Sequence, residues 1–240
     1  MIKKTAIALL FFQVFLSCNG QENKITETTY TQKLESELKG AVKEVISYTY
    51  KVENGKIPLK NANYTGKVTM TFDSIGNVIT INKLWDFGTT GKSAFLSRYS
   101  GKGKAISFIE TGRFDDGDLK KINFKHVWSD DYNYAIRSPE DSTFITFITL
   151  DKNYSLLKSV YKHKETVLFM EEYKTTYKDD KILETTIKTT NNFDGKMVVS
   201  YQIQVVQEYD NHGNPTFIYE YNNSSKQKME NVLYKEYTYY

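Results

Sequence analysis

The sequence predicts an all-β fold: an antiparallel meander of about a dozen strands, curled into a sheet or (half-)barrel, with one short N-terminal helix. Three observations predict it. Apolar and aromatic residues alternate with polar ones along successive runs. Asp/Asn/Gly clusters separate those runs at short intervals, as tight hairpins require. Only three prolines occur in 240 residues, and none splits a strong alternating run.

The first seventeen residues place Lys3 and Lys4 ahead of an apolar stretch, Ile7 to Leu16, interrupted only by Gln13. A spanning helix needs about 20 apolar residues, so this shorter stretch reads as a cleaved targeting segment. Phe15-Leu16-Ser17-Cys18 is similar to the lipobox of bacterial lipoproteins, a resemblance that implies cleavage before Cys18 and acylation of that residue, with palmitate among the chains. Cys18 is the sole cysteine, so the domain has no disulfide to lean on and must be held by its core. Two or three acyl chains, each contributing about 0.8 kcal/mol per buried methylene, anchor a protein stably; one is marginal.

The expected organisation is a signal peptide over 1–17, a lipidated flexible tether over 18–30 and a single antiparallel β-domain over 31–240. Removing 1–17 leaves 223 residues and lowers the net charge from +3 to +1, too little basic excess for a nucleic-acid binder. The expected location is the bacterial cell envelope, lipid-anchored. The residues after Cys18 (N-G-Q-E-N-K) lack an Asp at the second position, which favours the outer membrane over the inner.

Within 31–39, Leu34 and Leu38 recur four apart, with Val42 continuing the spacing. Thr31 stands at a capping position and Gly40 at a stop. This predicts an amphipathic helix that covers an open end of the β-structure. Strand patterns follow. Val68, Met70 and Phe72 alternate with Lys67, Thr69 and Thr71; Ile122, Phe124, His126 and Trp128 share one face; Phe217, Tyr219 and Tyr221 share another. Thr143 to Leu150 is apolar on both faces, so a central strand covered on two sides is expected there.

An aromatic or Leu, usually followed by Asp, recurs before a turn at Phe72-Asp73, Phe114-Asp115, Leu150-Asp151 and Tyr209-Asp210, with a degenerate copy at Tyr177-Lys178. The best copies, F-D-S-I-G-N-V and Y-D-N-H-G-N-P, resemble the Y-D-x-x-G-N core of YD (RHS-like) repeats. Together with L-K-G-A-V-K-E-V at 38–45 and Y-K-E-Y-T-Y-Y at the end, they look like uncharacterised Bacteroidota lipoproteins. In that group the repeat is a structural hairpin, and the resemblance implies no catalytic residue.

Candidate chemistry is sparse. Gly91-Lys92-Ser93 matches the end of a P-loop, but Asp86 stands where the first glycine belongs. His126 lies between Phe124 and Trp128 on an apolar face. With a carboxylate it would serve as a general base, although a hydrogen-bonded core histidine is the plainer account. These three residues are the candidate pocket. Asp115, Asp116, Asp118, Asp130 and Asp131 form an acidic cluster of a type calcium favours, without EF-hand spacing. Ser74 and Ser142, in D-S-I and D-S-T, are similar to O-glycosylation acceptors of Bacteroidota exported proteins.

No cofactor or metal ion is expected, and no catalytic residue is assigned. A transmembrane barrel would show an uninterrupted apolar band, whereas here the alternate positions are rich in Lys, Glu and Asn. The expected function is a non-catalytic binding or assembly module, meeting the membrane through Cys18 and a protein or glycan partner through its aromatic-rich sheet. The alternative is a carrier of a hydrophobic ligand or lipid, with the helix as a lid. An enzyme built on His126 is the third reading.

Overall fold

A computed structural model describes residues 29–60, 62–115 and 117–240. The signal segment, Cys18 and Asp116 lie outside the described residues. After one helical turn, α1 (Gln32–Glu35), the described chain forms fourteen strands. They are β1 (Val42–Lys51), β2 (Gly66–Phe72), β3 (Val78–Asp86), β4 (Lys92–Lys102), β5 (Ala105–Phe114), β6 (Lys120–Trp128) and β7 (Asn133–Arg137). The second half contributes β8 (Phe144–Leu150), β9 (Leu156–His163), β10 (Thr166–Lys178), β11 (Lys181–Phe193), β12 (Lys196–Tyr209), β13 (Pro215–Tyr221) and β14 (Met229–Tyr239).

Every strand pairs antiparallel with its neighbours in sequence, and β1 closes on β14 from Val42 opposite Tyr239 to Lys51 opposite Asn231. The result is a closed up-and-down barrel. Closure removes the free edges a long open sheet would expose. The strand number exceeds a dozen because several turns carry no glycine signal. Ser129 to Tyr132, Pro139 to Ser142 and Lys164-Glu165 all reverse the chain without one, and Lys164 itself takes φ 53°.

Connections leaving odd-numbered strands gather at one end, here called the mouth, and those leaving even-numbered strands gather at the other, the floor. Strand alternation assigns the wall's inner face. Val45, Phe72, Val78 and Met70 pack with Leu38 into one core cluster, and Ile106, Tyr134, Ile148 and Leu150 pack with Tyr30 into a second. Both clusters lie at the floor. Aromatic rings cross glycines on the inner face. A Cβ on Gly112 would stand 2.1 Å from the Phe95 ring, and one on Gly66 would stand 2.3 Å from Trp85.

The outer face has its own apolar patch. Tyr234 stacks on Phe217 at 4.5 Å and meets Tyr50 edge-on at 5.5 Å. The long 52–65 connection folds over them, and the Tyr234 hydroxyl donates to the Pro58 carbonyl at 3.2 Å. That cover explains why Tyr50 and Val232 are fully buried although they point outward. The expectation for β8 is corrected: Ile148 and Leu150 are buried inward, but Phe147 on its outer face stays 37% exposed. Among the described residues, no layer covers the barrel there.

The predicted helix at 31–39 is reduced to a single turn. Thr31 makes no capping hydrogen bond, and Glu37 takes φ 54°, which ends any helix. The chain then runs extended because Lys39 bonds sideways to Asn214, with its N–H donating to Asn214 Oδ1 at 2.8 Å. A helical Lys39 would have aimed that N–H back along its own axis. Tyr30, assigned to the tether from sequence, is instead only 2% exposed and sits at the centre of the floor.

Candidate functional site

The floor is built from the N-terminal segment and the best repeat turns. Asp73 Oδ1 accepts the N–H groups of Ile75, Gly76 and Asn77 at 2.8–3.0 Å, so the carboxylate replaces backbone partners inside a tight turn. Burial opposes ionisation of Asp73, but these bonds and the Asn77 amide hold its carboxyl below the usual range. Asp210 repeats the arrangement with His212 and Asn214. The following asparagine is the clasp. Asn77 accepts the Gly103 N–H at 3.1 Å, and Asn214, fully buried, brackets Lys39 through both N–H and carbonyl.

The N-terminal segment thus enters the barrel as an extra pairing partner. The Lys33 N–H donates to the Gly76 carbonyl at 3.0 Å, and Gln32 Oε1 accepts the Val78 N–H at 3.2 Å. Tyr30 packs edge-on against Trp128 at 4.7 Å. Its hydroxyl donates to Glu35 Oε2 at 2.5 Å, and Tyr134 donates to the two Glu35 oxygens at 2.9 and 3.0 Å. Burial raises the Glu35 carboxyl above its ordinary range despite these donors. Both tyrosines are likewise pushed up, first by burial and then by the neighbouring carboxylate.

The candidate pocket residues belong to this floor. His126 stacks on Tyr134 at 4.6 Å, Phe124 stacks on Phe108 at 4.9 Å, and Trp128 closes against Tyr134. Among the described residues, neither His126 nitrogen has a hydrogen-bond partner, and neither has Trp128 Nε1. Burial drives the imidazole down to about 4, so it is neutral at physiological pH. With no carboxylate bonded to it, His126 has neither the general-base geometry nor the hydrogen-bonded core role anticipated from sequence.

The other sequence candidates disperse. Asp115 and Asp118 lie at the mouth and Asp130 and Asp131 at the floor, separated by the length of β6. Asp130 is engaged with the N–H groups of Tyr132 and Asn133. Among the described residues, no group of three or more His, Cys, Asp and Glu side chains is arranged to hold a metal ion. Ser74 and Ser142 occupy exposed turns at opposite ends. The Phe114-Asp115 repeat copy sits at the mouth, away from the others, and Asp115 Oδ1 accepts the Lys92 N–H at 2.6 Å. A carboxylate therefore already fills the anion position of the Gly91-Lys92-Ser93 turn.

Above the floor the interior changes character. On β6, β8 and β9, inward Ile122, Phe144 and Tyr161 toward the mouth remain accessible, at 38%, 39% and 36%, with Lys120 and His163 beyond them at the rim. A cavity of about 390 Å³ lies inside against Phe95, Glu110 and Ile122, and one of about 810 Å³ lies at the mouth rim, where inward Trp85 meets outward Leu84, Ala94 and Arg113. Eight-stranded barrels are just filled by their own side chains, whereas fourteen strands enclose a wider space. The opposite wall carries a polar trio, with the Gln204 and Asn231 amides donating to Glu220 at 3.3 and 2.6 Å.

Lys235 was not singled out by sequence. It alternates with Leu233 and Tyr237 on the inner face of β14, opposite Ser47 of β1. Among the described residues no ion pair or hydrogen bond engages its amine, and burial alone pulls the amine below the ordinary lysine range. The signal was present in outline, because a lysine interrupts the inward series Asn231, Leu233, Tyr237, Tyr239. In a tyrosine- and lysine-rich chain it does not stand out until the barrel closes around it.

No helix among the described residues is long and apolar enough to cross a membrane. Comparison with protein-family models, with curated proteins and with solved structures finds no match.

Proposed function

We propose that this protein is a non-catalytic carrier that holds a hydrophobic or amphipathic small molecule inside its barrel. The observation that carries the reading is the contrast along the inner wall. Side chains at the floor are sealed by the N-terminal segment, while aromatic and aliphatic side chains of β6, β8 and β9 line an accessible interior. Leaving such surface in contact with water forgoes about 25 cal/mol per Å² of burial, a cost that an apolar ligand entering by the mouth removes.

An assembly role with a protein or glycan partner is the second reading. It is favoured by the β11–β12 hairpin, whose tip exposes Phe193 at 62% and Met197 at 50%. In either case acylation of Cys18 would tether the floor end. The ten residues from Asn19 to Thr28 reach at most about 35 Å, so the mouth would face away from the bilayer to which the lipid is attached.

The test uses the two tryptophans. Trp85 lines the mouth cavity and Trp128 is packed into the floor. Titrating the full chain with a neutral amphiphile such as oleyl alcohol should saturate at one equivalent and change Trp85 emission, with Trp85→Phe abolishing the signal and Trp128→Phe retaining it. No saturable change, together with organic extracts of the native protein that contain no amphiphile, overturns the carrier reading.

A further inference from the structure

We propose that the mouth end of β12 is a pairing edge for a second copy of this chain, with Lys196–Gln202 of two molecules joined antiparallel across a two-fold axis at Val199. This goes beyond the carrier reading and gives the assembly reading its partner.

The argument begins with where the ladder stops. Toward the mouth, β12 stays paired with β11 from Ser200 opposite Thr189 to Lys196 opposite Phe193. On its other side the pairing with β13 ends at Ile203 opposite Tyr221, because β13 ends there. Seven residues, Lys196–Gln202, therefore stand beyond the last rung with one edge open. An antiparallel strand aims the N–H and C=O groups of successive residues to alternate sides, so half of those on this stretch face away from β11. Among the described residues, no backbone group of another segment bonds to them. The 222–228 connection leans outward instead, where the Lys226 amine pairs with Glu184 on the outer face of β11.

Open edges are ordinarily blunted by charge, proline or cover. β10 follows that rule. It outruns β9 below Glu172, and the stretch carries Lys174 and Lys178 and meets the N-terminal segment through the Tyr177 hydroxyl, which donates to Glu37 at 2.7 Å. β12 does not follow it. Its open stretch reads K-M-V-V-S-Y-Q, with one charge and no proline or glycine. Lys196 to Tyr201 are all exposed, Val199 to 49%. Short β-prone segments of low charge are the ones that pair with further strands.

The pattern also selects the occupant. With Val199 on the axis, the outer face sets Val199 against Val199 of the second copy and Met197 against Tyr201 of the second copy, apolar against apolar. The inner face sets Val198 against Ser200 and Lys196 against Gln202, so no like charges are opposed. This register uses all seven open residues and keeps every side chain on its own face. A highly charged peptide would meet a single lysine. A strand with apolar residues at alternate positions meets the whole outer row, and β12 is such a strand. An isologous pair also closes, leaving no edge for a third molecule. Its area falls at the small end of specific interfaces, below about 1,200 Å², which suits a weak, concentration-dependent dimer.

The experiment is sedimentation equilibrium of the full chain across about 1–300 μM, the range in which a small interface dissociates. A monomer–dimer equilibrium is expected. Val199→Lys sets two ammonium groups face to face on the axis and should weaken the dimer at least about tenfold. The position is exposed, so the thermal midpoint should hold. Phe147→Lys, on the outer face of β8, should leave the equilibrium unchanged. Met197→Lys combined with Tyr201→Glu places opposite charges across the axis and should pair more tightly than either single variant. A monomer at every concentration overturns the proposal, as does a dimer indifferent to Val199→Lys or equally weakened by Phe147→Lys. Assemblies that grow past two overturn the two-fold arrangement, and a double variant no tighter than the singles overturns the register. None of these outcomes bears on the ligand titration or on a protein or glycan partner of another kind.

Discussion

Asn214 holds Lys39 from both sides: its Oδ1 accepts the Lys39 N–H at 2.8 Å and its Nδ2 donates to the Lys39 carbonyl at 2.9 Å. The two residues are 175 positions apart. The same amide also donates to the Tyr239 hydroxyl at 2.8 Å, so one side chain ties together the N-terminal segment, the β12–β13 turn and the last strand. The hairpin repeat is thereby more than a turn. Its terminal asparagine docks the segment that closes the floor.

Asn214→Ala should cost about 3 kcal/mol, because it removes a fully buried side chain and leaves the half-buried Lys39 backbone groups without this partner. For a domain of this size that lowers the thermal midpoint by about 6–12 °C. Asn211→Ala, on the exposed side of the same turn, should leave it unchanged. Differential scanning calorimetry of the two variants distinguishes a clasp from a passive turn residue.

His126→Phe should stabilise the protein in acid. An unfolded histidine titrates near about 6.5, whereas His126 is held down to about 4 by burial. Between those values the unfolded chain binds a proton that the folded one refuses, so stability falls as pH falls across this window, by about 3 kcal/mol in all. Phenylalanine keeps the stack on Tyr134 and removes two unpartnered nitrogens. Denaturation midpoints at pH 7.5 and 4.5 should diverge less for the variant than for the wild type. Parallel shifts would refute the assignment.

Tyr30→Ala should open the floor without opening the barrel. Truncating this buried ring costs about 3–5 kcal/mol, and the loss falls on a segment docked against a wall that closes through β1 and β14 independently of it. Such segments open as local units. Amide exchange should therefore accelerate at Lys33, Lys39 and Val78 by orders of magnitude while the β10–β11 ladder keeps its protection. Uniform acceleration would show that the floor and the wall unfold together.

Much of the wall was legible because period-two alternation is a local property. Val68-Met70-Phe72 and Ile122-Phe124-His126-Trp128 each reveal their shared face within a few residues, and Asp73 and Asp210 announce their turns through side-chain bonds to the next few amides. The turns that escaped notice, at 129–132, 139–142 and 164–165, lack glycine, and their backbone reversal rests on Asp130, Asp141 and the left-handed Lys164 instead. Tyr30 was misplaced because a lone aromatic after a polar stretch has no periodicity to betray its burial.

Antiparallel strands, their faces and the strongest hairpins thus follow from the order of residues along the chain, since each depends on neighbours a few positions apart. Closure of β1 on β14, the sealing of one end by Tyr30 and Glu35, and the inward placement of Lys235 depend on pairings across nearly the whole length. Whether an inward side chain meets a partner, a wall or open space is a matter of how many strands complete the circle. That is set by the twist and tilt accumulated over all of them, which no local pattern encodes.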